Sequence, residues 1–286
     1  MESNPVTGFI GLGLMGGGFA INLRKAGFTG RFLAFDTDPE TLSAAEKDGV
    51  IDEGFSSPET MLGQCSLVFL CLAPNAALGF MDAWMPAFKS GALITDIAGI
   101  KKPICELIEK TLRADLDFIP GHPMAGTEKS GYAHARDLSF QGRNYILTPL
   151  NRNKPENLAF LKDLIRRLGF SRIVETTGGI HDAKIAFTSQ LCHVIAASLI
   201  DCEADTAITR FGGGSFEDLT RIAILNASLW TELFIENSSE LLRQIEKFET
   251  SLDKIKSFIA GAEKDKLLKT LTAVRNRRAE MAKQGD

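Results

Sequence analysis

The apolar positions of the first 178 residues fall into short continuous runs, and between them lie stretches with the three-to-four spacing of helices. Leu67-Val68-Phe69-Leu70-Cys71-Leu72 and Ala92-Leu93-Ile94-Thr95-Asp96 lack the alternation of a half-exposed strand, so they predict strands of a parallel sheet covered on both faces. A run from Val6 and another at Arg31-Phe32-Leu33-Ala34-Phe35 precede them, and Asn144-Tyr145-Ile146-Leu147-Thr148 and Arg172-Ile173-Val174-Glu175-Thr176 follow. Helical patterns lie at residues 41–48, 58–62, 76–88, 103–112 and 156–168. Past Gly178-Gly179 only helical patterns remain. The expected organisation is an α/β domain over residues 1–178 and an all-α domain over residues 179–286.

In the second part, a helix over residues 182–205 is apolar around most of its circumference and is expected to be a buried spine. Asp182, Ala186, Ser189, His193 and Ala197 follow helical spacing, which sets Ser189 and His193 on one face, either as a satisfied core pair or as the wall of a polar cleft. Residues 236–283 read as heptad-like helix with Leu241, Leu242, Ile245, Phe248, Leu252, Ile255, Phe258 and Ile259 as one stripe. A stripe of that length suits dimerisation. Arg275, Arg277 and Arg278 read as a solvated helix terminus.

Composition narrows the function. The chain is 44% hydrophobic and 24% charged with a net charge of -4, as in an ordinary globular protein, and that balance offers nucleic acid no electrostatic attraction. The cysteines at 65, 71, 105, 192 and 202 form no CxxC pair and no metal-ligand spacing; mostly buried, reduced thiols are expected. No apolar run reaches the ~18 residues of a membrane span, and Met1-Glu2-Ser3-Asn4-Pro5 lacks the order of a signal peptide. A cytoplasmic protein without membrane, metal or nucleic-acid partners is expected.

Three places carry candidate chemistry. Gly11-Leu12-Gly13-Leu14-Met15-Gly16 joins the first strand to a helix, and the second strand ends in Asp36. Glycines there permit the tight turn, the approach of backbone to a pyrophosphate and close helix packing, while Asp36 stands where a ribose-binding carboxylate belongs. This marks a dinucleotide-binding, Rossmann-type domain, and with Thr37 and Asp38 next in line no arginine awaits a 2′-phosphate, so NAD is expected. Ala73-Pro74-Asn75 and Asp96-Ile97-Ala98-Gly99 fall at the carboxyl ends of strands and should face the cofactor. Gly121-His122-Pro123-Met124-Ala125-Gly126-Thr127-Glu128 sets one histidine on a glycine-bounded, proline-stiffened loop. Alone it fits either a turn-capping histidine or an aimed imidazole. After the glycine-rich Phe211-Gly212-Gly213-Gly214-Ser215-Phe216, Arg221 sits in an apolar segment, either pairing Asp218 or, oriented by it, binding a carboxylate.

The glycine motif, the histidine loop, His181-Asp182 ahead of Ser189 and His193, and Gly212-Gly213-Gly214 followed by Asp218-Leu219-Thr220-Arg221 occur in an order that resembles the prephenate/arogenate dehydrogenases of tyrosine biosynthesis. The resemblance covers nearly the whole chain. It implies NAD-dependent oxidative decarboxylation of prephenate to 4-hydroxyphenylpyruvate, with His122 as the catalytic base and Arg221 as the carboxylate-binding residue. It places Ser189, His193, Thr127 and Glu128 in the substrate pocket, and implies a homodimer built from the C-terminal helices. No regulatory segment is expected on either side.

The chain departs from that pattern in three places. Gly99, in Asp96-Ile97-Ala98-Gly99-Ile100-Lys101, replaces a serine that would orient the histidine, so backbone or water is expected to do so. Ser189-Gln190-Leu191-Cys192-His193 keeps one of two histidines, and Glu217 replaces a basic residue. Gln190 and Glu217 together tilt the expected pocket toward an ammonium-bearing substrate, arogenate. Two further readings stay open: a β-hydroxyacid dehydrogenase using Lys184, although Thr188 stands where its asparagine should, and a non-catalytic NAD(H)-binding module.

Overall fold

The computed structural model describes residues 4–285; residue 286 and residues 1–3, which begin the N-terminal segment read above, lie outside the described residues. Strands β1 (Thr7–Ile10), β2 (Phe32–Phe35), β3 (Glu53–Phe55), β4 (Leu67–Leu70), β5 (Leu93–Asp96) and β6 (Asp117–Phe118) form a parallel sheet ordered β3-β2-β1-β4-β5-β6. Strand order reverses between β1 and β4, which opens a crevice at their carboxyl ends. Successive side chains point to opposite faces: Phe9, Leu67, Phe69 and Leu93 enter one core, and Ile10, Val68, Leu70 and Ile94 enter the other. Helices α1 (Leu14–Lys25), α2 (Pro39–Lys47), α3 (Pro58–Leu62), α4 (Pro74–Trp84), α5 (Lys102–Thr111) and α6 (Pro155–Arg167) alternate with the strands. Strand β3 carries no continuous apolar run, so hydropathy does not reveal it, whereas β6 leads into the short apolar segment Phe118-Ile119-Pro120 that precedes the histidine.

The later strands do not extend this sheet. β7 (Gly121–Pro123), β8 (Asn144–Leu147) and β9 (Arg172–Glu175) make a second one, with β7 antiparallel to β8 and β8 parallel to β9. His122, expected on a loop, is therefore a strand residue opposite Ile146. Backbone bonds from Thr148 to Pro120 (3.0 Å) and from Met124 to Asn144 (2.9 Å) close the ladder on either side of it. The two sheets share the core around α1. Phe19 meets Phe69 on one side and Phe140 on the other, at centroid distances of 5.3 and 4.7 Å. Gly17 and Gly18 exist for this packing: a Cβ on Gly17 would lie 2.8 Å from Tyr132, and one on Gly18 would lie 2.5 Å from Leu138.

Beyond β9 the described residues are helical: α7 (Gly178–Ile185), a wide π turn (Ala186–Gln190), α8 (Leu191–Asp201), α9 (Gly214–Thr220) and α10 (Ala227–Glu236). The expected buried spine is not observed. Phe187, Leu199 and Ile200 are exposed, and only Leu191 and Ala196 of α8 are buried, because the chain folds too little of itself over this face. By length and composition alone residues Gly178–Asp201 are apolar enough to cross a membrane. The five cysteines are free; Cys65 and Cys105 are buried, burial pushing their thiols up to about 12 and about 11, whereas Cys192 and Cys202 are exposed.

The chain forms two compact units separated after Ser238, and helices α7 to α10 belong to the first. The second consists of α11 (Ser238–Ala260) and α12 (Lys264–Gly285). The heptad-like stretch over residues 236–283 is thus helical but in two pieces, joined at a turn where Ala262 takes φ 50°. Ile255 and Phe258 of α11 face Thr270 and Val274 of α12 across a groove.

Candidate active site

At the carboxyl end of β1 the glycine turn builds a cradle. Gly11 has φ +85°, and a Cβ on Gly16 would stand 2.0 Å from the Gly11 carbonyl oxygen, so neither position accepts a side chain. A Cβ on Gly13 would meet open space. Helix α1 starts there with no side-chain cap and no acidic residue in its first turn, which leaves its N–H groups and dipole to an outside anion. Leu14 and Met15 are partly exposed in that turn. Asp36, just past β2, accepts from Leu12 N (2.7 Å) and Asp38 N (2.9 Å), which fixes its carboxylate beside the cradle with lone pairs to spare. These features fit a dinucleotide: a bare helix start for the pyrophosphate and an oriented carboxylate for a ribose. Ala73 and Pro74 begin α4 after β4, on the other side of the crevice.

Asp96 does not join them. It is fully buried, its Oδ1 accepts from Gly121 N (3.1 Å), and its Oδ2 accepts from Ala98 N (3.0 Å) and pairs with the buried Lys101 ammonium. Every oxygen is engaged inside the protein, so Asp96 staples β5 to the histidine strand instead of touching a cofactor. A buried carboxylate needs such a partner, and Lys101 lies five positions along the same segment.

His122 is partly exposed, and its Nδ1 lies 2.9 Å from His181 Nε2. His181 is buried and its Nδ1 lies 2.6 Å from Asp182 Oδ1. Asp182 in turn accepts from Lys101 N and Lys102 N, both at 2.8 Å, at the start of α5. A side chain thus orients His122, where backbone or water was expected. Sequence reading placed His181 and Asp182 in a motif without giving them a task; 59 positions separate the two histidines. Burial first, then the neighbouring His181 and Lys101, hold the His122 imidazole well below its ordinary 6.5. Burial also lowers His181, against the upward pull of Asp182. Around Gly99, a Cβ would stand 4.0 Å from His122 Nε2 and 3.1 Å from Leu233, so Leu233 presses on the space beside the imidazole.

The helical part supplies the remaining candidates. His193 stacks on Trp230 at 3.5 Å between centroids, and its Nδ1 lies 3.0 Å from the Ser189 carbonyl. The π turn adds a residue per turn, so the stripe drawn from Asp182 to His193 does not keep one face. Gln190 is removed from the pocket: it is buried, donates to the Leu233 carbonyl (2.8 Å) and accepts from Asn237 (2.7 Å), which pins α10 to the π turn. Arg221 reaches Glu128 Oε2 at 3.6 Å instead of the expected Asp218, and both are solvent-accessible. Thr127 accepts from Lys129 N in the same loop, and Glu217 is exposed on α9. Asn75, expected with Ala73 and Pro74 to face the cofactor, donates its backbone N–H to Glu232 (2.6 Å) and its amide to Glu236 (3.2 Å), clasping α4 to α10. Lys184 is exposed, and Thr188 bonds back to its carbonyl.

Two family models match the chain: "Prephenate dehydrogenase, nucleotide-binding domain" over residues 19–174 and "Prephenate dehydrogenase, dimerization domain" over residues 178–273. The chain is 28% identical over 265 residues to prephenate dehydrogenase of Bacillus subtilis, covering 91% of this chain and 71% of that one. It is 34% identical over 212 residues to cyclohexadienyl dehydrogenase of Zymomonas mobilis, 72% and 71% of the two chains. Among solved structures it resembles prephenate dehydrogenase from Aquifex aeolicus in complex with hydroxyphenyl propionate and NAD+, with a TM-score of 0.88, 29% identity and coverage of 98% and 99%. Synechocystis arogenate dehydrogenase gives a TM-score of 0.80 at 26% identity, covering 96% and 99%.

Proposed function

The chain belongs to the prephenate dehydrogenase family, and from that premise we propose that it is an NAD-dependent enzyme converting prephenate to 4-hydroxyphenylpyruvate by oxidative decarboxylation. The observation that carries this reading is a histidine on β7 whose ring is fixed by His181 and held well below its ordinary 6.5, in a chain whose parallel sheet bears a bare, glycine-cradled helix start after β1. A neutral imidazole is the group that accepts a hydroxyl proton near neutral pH. Gly11, Gly13 and Gly16 with the first turn of α1, Leu14 and Met15, would hold the pyrophosphate, Asp36 a ribose, and Ala73-Pro74 the far wall of the crevice. When bound, NAD+ supplies the hydride acceptor.

His122 takes the proton of the ring hydroxyl as that carbon is oxidised, and departure of the ring carboxylate as CO2 leaves an aromatic ring. Arg221 presents a planar fork for a substrate carboxylate, and its long, exposed contact with Glu128 is weak enough to be exchanged for one. Thr127 and Glu128 on one side, and Ser189, His193 and Trp230 on the other, form the proposed pocket. The helical part serves dimerisation, in a cytoplasmic homodimer.

The test is NADH formation by wild type and by His122→Asn. A fall in kcat on the order of 10²–10⁴-fold with NAD+ affinity retained is expected; unchanged turnover in the variant would overturn the assignment. The same assay with arogenate decides the second reading, which the acidic Glu217 on α9 favours by its charge toward an ammonium. A higher kcat/KM for arogenate than for prephenate would make it the physiological substrate.

A further inference from the structure

We propose that His181 and Asp182 form a positioning relay that fixes His122 as its Nδ1–H tautomer and leaves Nε2 as the atom that takes the substrate proton. This deepens, and rests on, the reading of His122 as the base. The assignment follows from donors and acceptors. The Asp182 carboxylate only accepts, and Lys101 N and Lys102 N hold it in place through both oxygens. The hydrogen in its 2.6 Å contact with His181 therefore sits on His181 Nδ1. A neutral imidazole carries one N–H, so His181 Nε2 is a lone pair. The 2.9 Å contact with His122 then requires the hydrogen on His122 Nδ1, and His122 Nε2 is bare. Gly99 stands before that atom and has no side chain with which to occupy it.

The relay also gives the incoming proton somewhere to go. When Nε2 gains a proton, the N–H bond at His122 Nδ1 breaks as one forms at His181 Nε2. His122 is again neutral, and the positive charge rests on His181 against the Asp182 carboxylate. The charged and titratable groups that bear on the pair are Lys101, Asp96 and Asp182. Lys101 opposes charge on both rings, its own charge being matched by Asp96, while Asp182 favours charge on the inner ring. The arrangement therefore draws the proton inward, away from the site of hydride loss.

The direct test is ¹⁵N NMR of the full chain labelled at histidine, with His122→Asn used to assign the resonances. A pyrrole-type Nδ1 and a pyridine-type Nε2 on His122 are expected; the reverse overturns the relay whatever the turnover. If prephenate and arogenate are not turned over but the expected tautomer is seen, the substrate reading fails and the relay stands. Kinetics of His181→Gln and His181→Leu separate positioning from packing. A glutamine oxygen accepts from His122 Nδ1–H and a leucine does not. The leucine variant should lose roughly a hundredfold in kcat, with KM within about twofold and the glutamine variant recovering about tenfold of the loss. Equal losses in both variants would mean that His181 only fills space.

Discussion

At the scale of single residues, the site depends on charges enclosed with their partners. Lys101 and Asp96 are fully buried as a pair, and removing one partner of such a pair costs about 3–5 kcal/mol because the other is left uncompensated. The pair ties β5 to the histidine strand through Gly121, and Lys101 also discourages a proton on His122. The sign of the resulting pH dependence is fixed. A base held well below 6.5 stays neutral as the solution passes downward through 6.5, so kcat/KM should remain level there and fall only at lower pH. An acid limb at or above 6.5 in the pH profile of kcat/KM would contradict this. Stability follows the same groups: in the unfolded chain His122 and His181 protonate near 6.5, in the folded one lower, so this part of the stability is complete above 6.5 and lost as pH falls below it.

At the scale of elements, α1 does two jobs with adjacent glycines. Gly16 meets the turn carbonyl, whereas Gly17 and Gly18 admit the turn Tyr132–Asp137 and the residue after it. Gly17→Val should therefore destabilise the fold by about 1–3 kcal/mol, seen as a lower denaturation midpoint, through crowding against Tyr132 and Ala135. NAD+ affinity should be nearly unchanged, since the cradle lies on the other side of Gly16; equal stability of variant and wild type would show that the turn yields freely. The strand at His122 is the other element that matters. Three residues of antiparallel pairing with β8 fix the backbone of a histidine that a loop would leave mobile, and the relay then fixes its ring.

At the scale of the whole molecule, the first compact unit leaves Phe187, Leu199, Ile200, Phe211, Leu219 and Ile224 exposed, Phe211 by 87%. Such a surface suits a second copy, over an interface of roughly 1,200–2,000 Å² or more. Sedimentation should give a dimer for wild type and a shift toward monomer for a Leu199→Arg, Phe211→Asp double variant; an unshifted dimer would place the interface elsewhere. The sequence by itself determined the α/β part, its glycine cradle, Asp36 and the prominence of His122, because apolar runs and glycine spacing are local consequences of strand burial and tight turns. It also marked Arg221 as an uncommon charge among apolar neighbours. Only the tertiary structure decided what those residues touch. Asp96 turned inward to Lys101, five positions on, while Gln190 was spent on α10, Arg221 met Glu128 and His122 found His181, the last three across folds in the chain that no local pattern records. A buried polar group takes whichever partner packing brings within hydrogen-bond distance, and that choice is made in three dimensions.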